Sequence, residues 1–230
     1  MTQNNGFLGT IGWIKSNLMV SSQASEKGYS NENFYPGAES IPDSEPKATF
    51  LPISFKATKV TIDGNGIANI GGNKGCGVDL LNTPDLSTLQ NWELGFKAQV
   101  MARTNTDKPV ICGIEGADGS WLSNIAFQFT LGNGTYGDYY TPWLFSSCDS
   151  NYQLNTGVKI QDANWHDFKV KWETGVGYTL TVDDAKVSKY RASYPSNAGK
   201  NIRWGFVNNN FTNAIRALDT KSVYLKWWNN

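Results

Sequence analysis

Aromatic rings and short polar side chains are concentrated between residues 131 and 152, in the stretch LGNGTYGDYYTPWLFSSCDSNY. Tryptophan and tyrosine rings stack on the apolar face of a pyranose, while aspartate, asparagine and backbone amides hydrogen-bond its hydroxyl groups. The sequence therefore predicts a saccharide-binding surface, to which a neighbouring loop adds one tryptophan. The predicted ligand-binding residues are Trp121, Asn133, Tyr136, Asp138, Tyr139, Tyr140, Trp143 and Tyr152.

The same stretch also fits a structural role. Residues 143–145 are an apolar run typical of a buried strand, and the tyrosines would then pack the adjoining loop onto itself. A calcium site is a further possibility, because calcium prefers carboxylate and carbonyl oxygens and the stretch and its neighbouring loop contain Asp118, Asp138 and Asp149. No Asp-x-Asp-x-Asp-Gly run is present. The stacking role, the packing role and the calcium site all stay open on the sequence alone.

Side chains suited to catalysis are sparse. His166 is the only histidine, which removes most Ser-His-Asp and histidine-metal sites. Its position beside Trp165 and Asp167 at the start of a strand favours a role in orienting a turn. The sequence favours a non-catalytic protein, although Asp and Glu side chains brought together from separate strands would permit an enzyme.

Charge and cysteine content exclude several classes. The 20 basic residues balance the 20 acidic ones, so no basic surface for nucleic acid or an anionic membrane is indicated. No apolar stretch is long enough to insert across a bilayer. Cys76, Cys112 and Cys148 are odd in number and lack metal-ligand spacing, so we expect partly buried thiols, with one disulfide and one free cysteine as the alternative.

The clearest strand pattern lies between residues 164 and 190. Glycines after Glu173 and the pair Asp183-Asp184 predict two turns, which divide the stretch into a β-meander ending in a strand at 186–190. The first arm, residues 165–173, alternates with a one-residue slip at Asp167. Its predicted core face consists of Trp165, Phe168, Val170 and Trp172.

Many further short strands follow from alternation and turn residues. They are predicted at residues 59–62, 67–70, 92–100, 109–115, 125–131, 141–145, 156–160, 201–207 and 222–228, with a tight hairpin at 63–66 and a glycine-rich turn at 71–77. Two packed sheets are the economical way to bury so many strands. The predicted fold is therefore all-β, a two-sheet antiparallel jelly-roll sandwich.

Three segments carry a family resemblance. The Trp-His strand at 165, the YTLTVDD strand at 178–184 and the short strand after it resemble the centre of concanavalin A-like jelly rolls, including laminin G-like modules and sugar-facing domains of phage tail fibres. The DLS lead at 85–87 before a Trp-Glu strand, and the closing SVYLKWW at 222–228, resemble strands of the same family. The resemblance covers about residues 58–230 and implies that the closing strand pairs near the start of the domain.

Enzymes of this architecture have recognisable catalytic sets. Laminarin-type endoglucanases carry Glu-x-Asp-x-x-Glu or Glu-x-Asp-x-Glu on one strand, and none of Glu93, Glu115 or Glu173 begins such a run. The Gln-x-His of alginate lyases does not occur either. The resemblance thus implies a recognition or structural module of a phage particle, as a fibre, receptor-binding or capsid-decorating subunit. The alternatives are a bacterial carbohydrate-binding module and a polysaccharide hydrolase or lyase with an atypical carboxylate pair.

The first 50 residues differ from the rest in being polar and rich in Ser, Asn, Glu and Pro, with one possible strand at 13–20. We predict that residues 1–50 are an arm for anchoring or oligomerisation and that residues 51–230 are the jelly-roll domain. A first strand plus a long surface loop of the same sandwich is the alternative.

Partners and location follow from these expectations. The opening residues lack the basic region and continuous apolar core of a secretory signal. We expect the virion surface, or else an extracellular or bacterial cell-surface location. The expected partners are a glycan or cell-surface polysaccharide, together with other virion subunits or a second copy bound through the arm.

Overall fold

The computed structural model describes residues 32–36, 49–72, 75–101, 110–116, 125–129, 142–146, 153–160, 162–194, 198–206 and 215–229. Within these ranges no helix is both long and apolar enough to cross a membrane. The regular structure described there is one 3-10 helix, Leu86–Thr88, and fifteen strands. In chain order the strands are β1 (Glu32–Pro36), β2 (Thr49–Phe50), β3 (Pro52–Thr58), β4 (Ile67–Asn69), β5 (Cys76–Leu80), β6 (Asn91–Val100), β7 (Val110–Gly116), β8 (Ile125–Phe129), β9 (Pro142–Ser146), β10 (Gln153–Asn155), β11 (Trp165–Glu173), β12 (Gly177–Val182), β13 (Ala185–Lys189), β14 (Ala198–Phe206) and β15 (Ile215–Trp228).

These strands form two antiparallel sheets. Sheet A has eight strands in the order β1-β3-β5-β14-β7-β8-β9-β10. Sheet B has the order β13-β12-β11-β6-β15-β2, and β4 pairs with β15 beside it. The predicted all-β sandwich of two antiparallel sheets is confirmed.

Alternation in β6 shows how the sheets pack. Its even-numbered residues, from Trp92 to Val100, are buried in the core while Lys97 is exposed, as the sequence predicts. The ring of Phe96 stacks on that of Phe168 in β11, with centroids 5.1 Å apart, and meets Trp204 of β14 edge-on at 5.5 Å. Because β14 belongs to sheet A, these rings join the two sheets across the core.

The meander β11-β12-β13 is confirmed, but the slip predicted in its first strand is wrong. Burial alternates along β11 without interruption, so His166 is only 7% exposed while Trp165 is 41% exposed. Both ring nitrogens of His166 are hydrogen-bonded to carboxylate groups, one of Asp162 and one of Asp183. A polar side chain takes the inward position because its hydrogen bonds are satisfied there.

Two other strand predictions and one turn prediction need correction. Strand β3 ends at Thr58, and Lys59 follows it at φ 53°, so residues 59–62 form no strand beyond an isolated bridge at Ile62. Residues 156–160 are not a strand, since β10 lies just before them and Gly157 has φ 78°. The glycine-rich stretch predicted as a turn contains the first two residues of β5.

The tight turn predicted at 63–66 is confirmed, although only the isolated bridge at Ile62 pairs with the strand that follows it. The carboxylate of Asp63 accepts hydrogen bonds from the backbone N–H groups of Asn65 and Ile67, both at 2.9 Å. The backbone N–H of Gly66 donates to the Asp63 carbonyl at 2.9 Å. The turn thereby returns the chain into β4.

Two strands before residue 51 belong to the sheets. Strand β1 pairs with β3 at the edge of sheet A, and β2 pairs with β15 at the edge of sheet B, where Thr49 lies opposite Trp227. The closing strand therefore pairs near the predicted domain start, as expected. The division into an arm of residues 1–50 and a domain of residues 51–230 stays a prediction, and the strand predicted at 13–20 lies outside the described residues.

Two of the three cysteines lie in sheet A. Cys76 and Cys112 are buried thiols rather than disulfide partners, and burial raises the pKa of both. This agrees with the expectation that they behave as small apolar side chains. Cys148 lies outside the described residues.

Candidate functional site

One predicted ligand-binding residue falls in the described part of the chain. Trp143 is the second residue of β9, and it is paired in register with Gln128 of β8 and Asn155 of β10. Because Leu154 lies in the core and successive strand residues face opposite sides, this register position belongs to the outer face of sheet A. The remaining predicted residues lie outside the described residues: Trp121, Asn133, Tyr136, Asp138, Tyr139, Tyr140 and Tyr152.

The strand ends show where the segments carrying those residues join the sheet. Residues 117–124 and 147–152 join it at the end where Ile125 pairs with Ser146, whereas residues 130–141 join it where Phe129 pairs with Pro142. A five-residue strand, about 14 Å long, separates the two ends.

A row of residues in mutual register crosses this outer face. It passes through all eight strands of sheet A, at about 4.8 Å per step, and so covers about 34 Å. We call it the transverse row. From β1 to β10 it consists of Glu32, Lys56, Asp79, Arg203, Gly113, Ala126, Phe145 and Gln153.

Charged residues occupy the β1–β14 half of the transverse row. Arg203 Nε donates a hydrogen bond to Asp79 Oδ1, and the two side chains are only 18% and 17% exposed. Gly113, the register partner of Arg203 on β7, has no side chain to compete for this space. The ion pair therefore places many hydrogen-bond donors and acceptors at one fixed point on the sheet.

Sequence reasoning missed this ion pair. Each member sits between two buried residues of its strand, Asp79 between Val78 and Leu80 and Arg203 between Ile202 and Trp204. A charged residue flanked by apolar neighbours in this way indicates an outward position on a half-buried strand. That signal identifies each residue's face, but only the register between β5 and β14 brings the two together.

Uncharged residues occupy the other half of the row. Gly113, Ala126, Phe145 and Gln153 follow one another from β7 to β10, and the parallel register line through Trp143 adds Gln128 and Asn155. The outward register positions of β8 are thus Ala126 and Gln128, neither of which is an acid. A retaining glycosidase needs two carboxyl groups about 5 Å apart, and β8 supplies neither.

His166 occupies the opposite sheet and is held at both ring nitrogens. Nδ1 lies 2.9 Å from Asp183 Oδ2, and Nε2 lies 2.9 Å from Asp162 Oδ1. The other oxygen of Asp183 accepts the backbone N–H of Asp167 at 3.0 Å, and the backbone N–H of Asn164 donates to Asp162 at 2.8 Å. The imidazole therefore ties the loop before β11 to the β12–β13 turn, which is the turn-orienting role that the sequence predicts.

The ionisation of this cluster follows from its geometry. Burial lowers the pKa of His166, but the hydrogen bonds and charges of Asp183 and Asp162 outweigh it and raise the pKa overall. Hydrogen bonds from His166 and Asn164 hold the pKa of Asp162 well below its usual range. Both nitrogens can donate only in the imidazolium form, so the cluster favours a charged, structurally engaged ring over a free general base.

The central outer face of sheet B is filled by its own side chains. Tyr224 Oη donates to Glu93 Oε1 at 2.6 Å, and Lys226 Nζ lies 3.5 Å from the same oxygen. The Tyr224 ring lies across Gly95, where an added Cβ would come within 2.2 Å of it. The ring therefore occupies the space that a side chain at position 95 would take.

A second ion pair completes this surface. Lys171 Nζ lies 2.9 Å from Glu173 Oε1, and the ammonium groups of Lys171 and Lys226 lie 5.4 and 5.9 Å from the centre of the Trp228 ring. Cation–π attraction and the two ion pairs satisfy these groups internally. This part of sheet B presents a network whose members bind each other.

Metal ligands are not clustered in the described part of the chain. No group of three or more His, Cys, Asp or Glu side chains there could hold a metal ion. Asp118, Asp138 and Asp149 lie outside the described residues. The calcium site stays a prediction.

Two antiparallel sheets, a closing strand near the domain start and the central meander define a concanavalin A-like jelly roll. Among solved structures, the chain is similar to the exoplasmic/lumenal domain of VIP36. Its Ca²⁺-bound form matches with a TM-score of 0.53 and 10% sequence identity, covering 78% of this chain and 85% of that chain. Its Ca²⁺/Man2-bound form matches with a TM-score of 0.51 and 11% identity, covering 82% and 84%.

An enzyme shares part of the likeness. A Trypanosoma rangeli sialidase matches with a TM-score of 0.50 and 10% identity over 76% of this chain and 27% of that chain. No protein-family model matches the sequence, and no curated protein is significantly similar to it. At such low identities, the likeness establishes the fold and leaves the activity to the residues of the site.

Proposed function

We propose that this chain is a non-catalytic glycan-recognition module that binds a saccharide across the outer face of sheet A. The observation that carries the proposal is the transverse row, in which the half-buried Arg203–Asp79 pair adjoins an uncharged stretch beside Trp143. The VIP36 domain, which shares the fold, has been solved with mannose and with Man2 bound.

Saccharide chemistry fits this row. Each sugar hydroxyl both donates and accepts hydrogen bonds, and the Arg203–Asp79 pair offers both kinds of partner in one place. Hydrogen bonds to charged groups are shorter and stronger than neutral ones. Trp143, on the adjacent register line, adds an aromatic residue for stacking. The tyrosines between residues 136 and 152 extend this surface in our proposal.

Recognition without cleavage is supported by β8, which lies in the uncharged half of the row. Its outward register positions are Ala126 and Gln128, and Asp79 is bound to Arg203. A glycosidase mechanism needs one carboxyl group to donate a proton while the other acts as nucleophile or base. These positions therefore favour binding over cleavage. The alternative, a hydrolase or lyase with an atypical carboxylate pair, is tested by the search for cleavage products described below.

We place the module on the surface of a phage particle, as a fibre, receptor-binding or capsid-decorating subunit that binds a host-surface glycan. The support is the resemblance of the 85–93, 165–190 and 222–228 segments to phage fibre modules. Residues 1–50 would then attach the chain to other virion subunits or to a second copy. A bacterial carbohydrate-binding module is the alternative setting for the same site.

Binding to an immobilised glycan panel tests the proposal. Trp143→Ala and Arg203→Lys should each weaken binding about 5- to 150-fold, the range for altering a contact residue that the bound partner covers. Lys171→Ala, on the self-paired face of sheet B, is the matched control and should leave binding unchanged. Unaltered binding by both sheet A variants would refute the site.

The same samples address chemistry and calcium. Mass spectrometry of the glycans after incubation should show no cleavage products, and their appearance would establish the enzyme alternative. Repeating the panel with a chelator tests whether Asp118, Asp138 and Asp149 hold calcium for binding. Loss of binding with the chelator and its recovery with Ca²⁺ would add the metal to the site.

A further inference from the structure

Trp165 lies on the outer face of sheet B, far from the transverse row. Although the sequence pattern predicted a core position, the indole is 41% exposed because the inward position at this end of β11 belongs to His166. Single exposed apolar residues are common on protein surfaces. The residues in register with this ring therefore decide whether it forms part of a site.

Trp165 begins a short row of its own. Its register partner on β6 is Gln99, followed by Ala217 on β15 and Asn69 on β4. We call these four residues the Trp165 row. Three strand spacings, about 14 Å, separate its ends. Ala217 is only 2% exposed, so the accessible members of the row are Trp165, Gln99 and Asn69.

The chemistry of the Trp165 row is uncharged and polar around one ring. Within the described part of the chain, the side chains of Gln99 and Asn69 make no hydrogen bond, so each amide can offer a donor and an acceptor to a ligand. The neighbouring charged residues of β6 and β11, Lys97 and Asp167, pair with each other at 3.5 Å. An aromatic face beside two amides matches a neutral sugar, whose apolar face stacks while its hydroxyl groups accept and donate.

The backbone that presents Trp165 is fixed on both sides. Asn164, the preceding residue, binds Asp162 through its backbone N–H at 2.8 Å and its side-chain amide at 2.9 Å. His166, the following residue, is held by Asp162 and Asp183. A fixed backbone presents the indole at a defined point on the sheet, which lowers the cost of ordering the site on binding.

We propose that the Trp165 row is a second saccharide-binding site, selective for neutral sugars. It lies on the opposite side of the sandwich from the transverse row. One chain with both sites engages two saccharide chains, or two parts of one, and gains avidity when both are occupied. The second site does not depend on the first, because the two rows share no residue.

Affinity electrophoresis of the full chain through gels containing mannan, dextran or a β-glucan tests this site. In a Trp143→Ala background, Trp165→Ala should reduce the apparent affinity for a retarding polysaccharide about tenfold, and Gln99→Ala should reduce it less. Tyr190→Ala removes a ring that is 70% exposed and lies outside the row, so it should change nothing.

The variants separate this site from the site on sheet A. If Trp143→Ala alone abolishes retardation and Trp165→Ala has no effect, the second site is refuted while the first stands. If only Trp165→Ala abolishes retardation, the second site stands and the first is refuted. A wild-type chain that no neutral polysaccharide retards also overturns the second site. Unchanged thermal melting of Trp165→Ala checks that any loss comes from binding.

Discussion

The outer faces of the two sheets use charge in different ways. At the centre of sheet B, Glu93 and Glu173 pair with lysines that lie next to Trp228, so the charged groups satisfy each other. On sheet A, the Arg203–Asp79 pair stands between charged Lys56 on one side and, from Gly113 onward, register positions with small or uncharged side chains on the other. A closed network stabilises a surface, whereas a fixed pair beside uncharged residues can also serve a ligand.

Glycines sharpen this difference. Gly95, in the middle of sheet B, lies beneath the Tyr224 ring, which in turn donates to Glu93. Gly113, in the middle of sheet A, lies opposite Arg203. The first glycine makes room for a ring of the same chain, and the second gives a charged side chain room at the candidate site.

The largest loss of stability is expected from a substitution on the inner face of sheet B, because the core there holds the two sheets together. Trp172 is buried and its ring lies 4.9 Å from that of Tyr178, so Trp172→Ala should lower the free energy of unfolding by about 3–5 kcal/mol. Trp165→Ala in the same strand should change it by only about 0.5 kcal/mol. Chemical denaturation of both variants measures this, and equal losses would mean that the two faces of β11 are misassigned.

A smaller loss of stability is expected at Gly95. Gly95→Ala forces the Tyr224 ring away from the sheet and weakens its bond to Glu93, so it should cost about 1–3 kcal/mol. Gly64→Ala is the matched control, because nothing lies within 4 Å of its added Cβ, and it should be neutral within about 0.5 kcal/mol. If chemical denaturation gives both variants the same free energy of unfolding as the wild type, the closed network of sheet B is contradicted.

The smallest effect is a pH dependence from His166. Its pKa is raised in the folded state, so its contribution to stability is fully present below its unfolded pKa of about 6.5 and is lost as pH rises through the folded pKa. Thermal melting between pH 5 and 9 should show His166→Asn most destabilised at the acidic end, with the gap to wild type closing as pH rises. A gap that widens with pH would show that the neutral ring is the favoured form.

Sequence reasoning succeeded where local pattern dictates structure. The alternation of β6, the meander and the Asp63 turn depend on neighbouring residues, and all three are confirmed. It failed at Trp165 because apolar character alone does not decide which face a residue takes. The two carboxylates that allow His166 to be buried come from turns on either side of β11, and strand periodicity does not reveal them.

The candidate site was harder to predict than the fold. The composition of the stretch at 131–152 predicts a binding role, and that role stays a prediction. Of its residues, Trp143 takes a register position on the outer face of sheet A. The transverse row has no signature along the chain, because its members come from eight strands separated by up to 171 positions, from Glu32 to Arg203. Such a row appears only once the register of every strand pair is known.

Amide chemical-shift mapping during titration with a binding glycan tests the central claim most directly. If sheet A recognises saccharide, the largest shifts should fall on Asp79, Arg203, Gly113 and their neighbours in β5, β14 and β7. The amides around Lys171 and Lys226 should stay unchanged. Shifts confined to sheet B, with none along the transverse row, would contradict recognition by sheet A.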